Sequence, residues 1–162
     1  MPNWCDNHVR IEGPVDKIYN MAKACKEENL LEYMVPVEGN NLDRTSAWGT
    51  KWDISEPQIE HIVEDGVIDM YFMSAWGPPS EAFYTYMDNN EDVDIEWCYY
   101  EGGNAFCGLN GEDYEVPYSL DSDDWDNNSV IKKCDDTFGI RDSIKAWEDD
   151  GHTGTEIGRA HV

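Results

Sequence analysis

Basic residues are scarce in this sequence: 11 Lys and Arg stand against 35 Asp and Glu, a formal net charge of −24. Affinity for a phosphate backbone comes from cations that release counterions, and attraction to an anionic membrane surface needs the same sign of charge. Direct nucleic-acid and membrane binding are therefore excluded. Long apolar runs are also missing. The longest, Met70-Tyr71-Phe72-Met73, is bounded by Asp69 and Ser74, far short of the roughly 18 residues that span a bilayer. The opening Met1-Pro2-Asn3-Trp4-Cys5 has neither a basic nor an apolar leader region, so a cytoplasmic location is expected. Cys5, Cys25, Cys98, Cys107 and Cys134 make no CxxC pair, which argues against a zinc ribbon or a thioredoxin-like motif and for reduced thiols. Neither GxGxxG nor the P-loop pattern occurs, so no nucleotide cofactor is expected.

What is present argues for a folded domain. Hydrophobic residues make up 40% and aromatics 12% of the chain, whereas disordered segments pair high charge with few aromatics. A chain of 18.6 kDa exposes about 8,000 Å² when folded, so the surplus is about one negative charge per 340 Å².

Hydrophobic periodicity places the elements. His8 to Glu12 alternates and stops at Gly13-Pro14, a short strand and turn. Ile18, Met21, Ala22 and Cys25 then fall on one helical face, and Leu30, Leu31, Tyr33 and Met34 carry that helix on to Pro36. Residues 38–56 read as irregular. Gln58 to Glu64, Asp65-Gly66 and Val67 to Trp76 form a hairpin pattern whose second strand is apolar on both faces, as in the middle of a sheet. A helix bearing Phe83, Tyr86 and Met87 follows Pro78-Pro79, then a strand over Val93 to Tyr100. Gly102-Gly103 and Asn110-Gly111 turn the chain into two further strands, near Ala105 to Leu109 and Tyr114 to Tyr118. The expected class is α+β, a ferredoxin-like split βαβ sandwich with two helices on one face of an antiparallel sheet. Residues 1–118 form that domain. Residues 119–162 read as an acidic C-terminal extension: a polar stretch Asp121–Asn128 unsuited to burial, a short helix near Arg141–Asp149, and a frayed tail from Gly151.

Three segments carry a family resemblance: Met1-Pro2-Asn3-Trp4-Cys5-Asp6-Asn7, Trp48-Gly49-Thr50-Lys51-Trp52-Asp53 and Ala75-Trp76-Gly77-Pro78-Pro79, with a looser match at Tyr99-Tyr100-Glu101 and Ala105-Phe106-Cys107-Gly108. In this order they resemble the YubB ferredoxin-like family of phages and plasmids. The resemblance covers residues 1–118 and implies a ferredoxin-like fold and a mobile-element setting. It carries over no catalytic residue.

Two readings of function remain. Asn3, Trp4, Cys5, His8, Trp48, Lys51, Trp52, Asp53 and Trp76 make a candidate pocket for a small-ligand or metal-dependent activity, in which indoles stack a flat ligand and polar groups fix its edges. The same residues also suit a packed corner of the core. Cys5 and His8 are three apart with Asp53 as a candidate orienting acid, but His8 on its strand lies on the face opposite Val9 and Ile11, which counts against contact with Cys5, and the acidic surroundings favour a neutral thiol. Asp124, Asp126, Asn128 and Asp135 fall at positions 1, 3, 5 and 12 of a calcium-loop pattern, but Ser129 replaces its turn glycine and Lys132 adds a cation. A solvated acidic loop is the simpler reading, and no metal is expected. Strand aromatics such as Tyr71, Trp97 and Tyr99 invite comparison with RNA-binding sheets, but the basic half of that signature is absent.

The second reading rests on the charge. A net charge of magnitude about 2–8 suffices to keep a small domain soluble, and −24 is far beyond it. Glu60, Glu64, Asp94, Glu96, Asp123, Asp124 and Asp126 are the expected contacts of an acidic surface that occupies the cationic groove of a basic host protein. The expected function is a non-enzymatic accessory protein, a nucleic-acid mimic that blocks a host defence or nucleic-acid-processing factor.

Overall fold

A computed structural model describes residues 2–39, 41–63 and 66–150 of the chain. Strand β1 (Trp4–Glu12) leads into helices α1 (Val15–Lys26), α2 (Leu30–Met34) and α3 (Asn41–Trp48). The pair β2 (Ser55–Val63) and β3 (Val67–Ala75) precedes α4 (Ser80–Asn89) and β4 (Asp94–Glu101). Short strands β5 (Phe106–Leu109) and β6 (Glu112–Glu115) come next, then α5 (Asp124–Asn127), α6 (Ser129–Phe138) and α7 (Ile140–Asp149). The six strands form one open sheet in the order β2-β3-β1-β4-β5-β6, and each neighbouring pair is antiparallel. The chain is thus a mixed α+β fold.

Strand alternation divides the sheet into two faces. On the inner face Val9 lies opposite Met70 and Trp97, and Ile11 opposite Ile68 and Ile95. Ile18, Met21 and Cys25 of α1, Leu30 and Leu31 of α2 and Phe83 of α4 complete this core. The turn between β2 and β3 is tight against the start of α1. Gly66 has φ +87°, and a Cβ there would lie 2.2 Å from the Gly13 carbonyl oxygen, so glycine is required.

Several sequence expectations are corrected. β1 begins at Trp4 rather than His8, which brings Cys5 and Asn7 into the sheet. The single helix expected from Asp16 to Met34 is two. Glu28 adopts φ +58°, and the amide of Asn29 donates to the Ala24 carbonyl at 3.0 Å, closing α1 as a C-terminal cap does. Helix α2 restarts because Asp53 caps it from a distance: its carboxylate accepts from the amides of Leu31 at 3.0 Å and Glu32 at 2.9 Å. The stretch expected to be irregular contains α3, whose Trp48 is buried.

The largest difference lies after β6. The Asp121–Asn128 stretch buries Trp125, which is 1% exposed. Together with Val130, Ile131, Cys134, Ile140 and Ile144 it forms a second core against Cys98, Tyr100 and Cys107 on the outer face. Helices therefore lie on both faces of the sheet, not one. Asn128 caps α6 by accepting from the amides of Val130 and Ile131, both at 3.0 Å, and Gly139 at φ +65° joins α6 to α7. Glu64, Asp65 and the tail expected from Gly151 lie outside the described residues.

Candidate binding surface on the outer sheet face

The C-terminal helices cover only the β4-β5-β6 half of the outer face. The β2-β3-β1 half, with the exposed end of β4, stays open and presents rows of polar side chains. Gln58, Tyr71, His8 and Cys98 form one row, and Asp69, Arg10 and Glu96 the next. Glu12 and Asp94 pair beyond them, while Met73, Asp6 and Tyr100 form the row on the other side. Directly opposed residues of neighbouring strands share a face. Glu60 stands at a bulge of β2, and desolvation, then the charge of Glu60, raises the Tyr71 phenol. The strands β2 and β4 are about 14 Å apart across this half-face.

Among the described residues, the basic side chains on this surface are already engaged. His8 stacks on Tyr71 with ring centroids 4.5 Å apart, and its Nε2 lies 3.2 Å from Asp69. Arg10 reaches Asp69 and Glu12, each at 3.4 Å. Lys133 of α6 lies 2.9 Å from Glu96 and is raised by that contact. Among the described residues, no cation pairs with Asp6, Glu56, Glu60 or Asp94.

A groove of about 230 Å³ runs along this surface, lined by Asp6, Glu56, Gln58, Tyr71, Met73 and Phe138. Although Asp6 is exposed, partial desolvation in this groove, then the neighbouring Glu56 carboxylate, pushes its carboxyl above the usual range. Two carboxylates thus share a partly apolar groove with nothing of opposite charge between them among the described residues. Such an arrangement favours an incoming cation that carries an alkyl stem, since the stem takes the apolar wall and the head takes the carboxylates.

The expected acidic contacts divide into two groups. Glu60, Asp94 and Glu96 come together on this half-face, with Glu96 held by Lys133. Asp123, Asp124 and Asp126 instead sit exposed at α5, on the helical layer over the other half. Asp6 was not expected as a contact. The alternation of β1 carried the signal for Asp6, but only the register sets it beside Glu56.

The candidate pocket residues do not line one cavity. Cys5 is buried on the inner face and His8 lies on the outer face of the same strand. Burial, then the charge of Glu101, holds the Cys5 thiol well above its usual range. Trp48 is buried and its Nε1 donates to the Val35 carbonyl at 2.8 Å. Asp53 is committed to the α2 cap. Trp4 and Trp52 pack with centroids 6.4 Å apart, and the Lys51 ammonium stands 5.2 Å from the Trp52 ring. Trp76, at φ +71°, is 49% exposed, and its amide donates to the Asn3 carbonyl at 2.7 Å. Thr50 donates to the Ala75 carbonyl at 2.7 Å, and Cys5 lies opposite both Ser74 and Glu101. The separate Trp-containing segments therefore converge at one end of the sheet, where their hydrogen bonds hold a corner.

The calcium-loop pattern does not survive folding. Asp124 and Asp126 lie within α5, Asn128 is spent on capping, and Asp135 accepts from the Arg141 amide at 2.7 Å. Among the described residues, no three acidic, His or Cys side chains are grouped to hold a metal ion. No described helix is long and apolar enough to cross a membrane. No family model, curated protein or solved structure matches the chain.

Proposed function

We propose that this protein is a non-enzymatic binder whose open outer sheet face takes a cationic surface of a basic partner protein. The carrying observation is the groove in which Asp6 and Glu56 repel one another beside Tyr71 and Met73, with no cation between them among the described residues. A Lys or Arg side chain of the partner fills that groove, and Glu60, Asp94 and Glu96 extend the negative surface around it. Asp123, Asp124 and Asp126 form an outlying acidic patch that contributes long-range attraction more than contact. The net charge of −24 raises the association rate with any such partner and makes binding sensitive to salt.

On this reading the partner is a host defence or nucleic-acid-processing factor whose nucleic-acid site is occluded, and the protein acts in the host cytoplasm as a phage or plasmid accessory. The strand order β2-β3-β1-β4, with helices between β1 and β2 and between β3 and β4, supports a ferredoxin-like core. The test is a pull-down from host lysate at rising salt with the natural protein and the D6K/E56K variant. The reading requires a partner that is lost at high salt and lost from the variant at low salt. A partner held equally by both proteins at every salt concentration refutes it.

A further inference from the structure

Three of the five cysteines meet in the second core, away from the acidic groove. Cys98 of β4 projects to the outer face opposite His8, and α6 crosses β4 and β5 so that Cys134 comes down onto it. The two sulfurs are 3.5 Å apart, and the Cys134 thiol donates to the Gly108 carbonyl at 3.3 Å. Cys107 of β5 is buried in the same core. A notch of about 70 Å³ opens beside the pair, lined by His8, Arg10, Glu96, Cys98 and Lys133. That is the space of about two water molecules, enough for a peroxide but not for a bulky disulfide reagent. The notch leads to Cys98 and not to Cys134, so the two thiols differ in access although both are buried.

We propose that Cys98 and Cys134 are a peroxide-oxidisable pair that closes to a disulfide and ties α6 covalently to β4. Cys98 gives its proton to solvent in the notch, and its sulfur attacks one oxygen of hydrogen peroxide. The O–O bond breaks, the departing hydroxide takes up a proton to become water, and Cys98 is left as the sulfenic acid. The Cys134 sulfur then attacks the Cys98 sulfur, the S–O bond breaks, and the released hydroxide leaves as water with the proton of Cys134. Two thiols lose two electrons and one peroxide becomes two waters. The sulfurs close from 3.5 Å to about 2.05 Å, a movement that side-chain rotation on a strand and a packed helix supplies.

Contact with Cys134 and burial hold the Cys98 thiol far above its usual range, and contact with Cys107 together with burial pushes Cys134 up to about 12. Only the thiolate attacks, so oxidation is slow at neutral pH and accelerates about tenfold per pH unit on the alkaline side. The notch opens on the same half-face and shares Glu96 with the proposed partner surface, but the reaction needs no partner and is tested on the free protein, so its outcome does not depend on the proposed function.

The test treats the folded full-length protein with hydrogen peroxide at two pH values, blocks remaining thiols under denaturing conditions and maps the peptides by mass spectrometry. The expected product is a Cys98–Cys134 cross-linked peptide lighter by two hydrogens, formed about a hundredfold faster near pH 9 than near pH 7 and reversed by dithiothreitol. Closing a loop between residues 36 apart raises the melting temperature by about 5–10 °C, a gain that reductant removes. The C107S variant keeps the cross-link and C134S loses it. Free Cys98 and Cys134 after exposure of a protein with an unchanged circular dichroism spectrum, or a bond to Cys107 instead, overturns the proposal. Should C134S fail to fold, the peptide map of the natural protein decides alone.

Discussion

Replacing Trp125 by alanine tests whether the C-terminal helices are part of the fold or an attachment to it. The indole is 1% exposed, its Nε1 donates to the Ser119 carbonyl at 2.9 Å, and the Arg141 guanidinium lies 5.8 Å from its ring. It packs in the core that joins Val130, Ile131, Cys134, Ile140 and Ile144 to Cys98, Tyr100 and Cys107 of the sheet. Truncating a buried tryptophan costs about 3–5 kcal/mol, with the Ser119 hydrogen bond accounting for about 1 kcal/mol. Against a typical domain stability of about 5–15 kcal/mol, that is a large fraction. The assay is urea denaturation followed by far-ultraviolet circular dichroism, at fixed ionic strength because the chain repels itself. The expected outcome is one cooperative transition at a lower midpoint with an unchanged slope. A loss below about 1 kcal/mol, against that 3–5 kcal/mol expectation, refutes the reasoning. So does a biphasic curve in which the first four strands melt as in the natural protein.

Two further outcomes follow from single side chains. Alanine at Asp53 removes the acceptor for the amides of Leu31, Glu32 and Ile54 and lowers stability by about 1–2 kcal/mol, read as a drop in melting temperature; an unchanged melt shows that α2 does not depend on this cap. For Asp6, a folded-state pKa above the ordinary value means the stability it contributes is present below the usual carboxylate range and lost as pH rises through the raised value. The D6N variant therefore melts above the natural protein at neutral pH and level with it in acid below about pH 3.9. A variant that melts lower at neutral pH contradicts the desolvation and the repulsion by Glu56 that raise Asp6.

The elements were legible where neighbours along the chain carry the signal. The alternation of Val9 and Ile11, the spacing of Ile18, Met21, Ala22 and Cys25, the hairpin into Val67 and the apolar stripe of α4 all predict the observed inner core. The face taken by His8 was equally readable, whereas that of Cys5 was not, because Cys5 lay before the expected strand. Helix α3, the break at Glu28 and the early start of β1 were not, because their support comes from distant partners: Asp53 caps α2, and Ser74 and Glu101 flank Cys5.

The candidate surface was legible only as a charge. Composition fixed the sign and size of the field, and Glu60, Asp94 and Glu96 could be chosen from strand alternation. Register and packing decided the rest: that Asp6 faces Glu56 in a groove, that Lys133 already neutralises Glu96, and that Asn128 and Asp135 serve backbone amides rather than a cation. The same packing buried Trp125 within a stretch whose composition is polar, since one indole facing a half-covered sheet outweighs the aspartates beside it that point to water. Periodicity along the chain sets which face a side chain takes, whereas only contacts across the fold determine what meets it there.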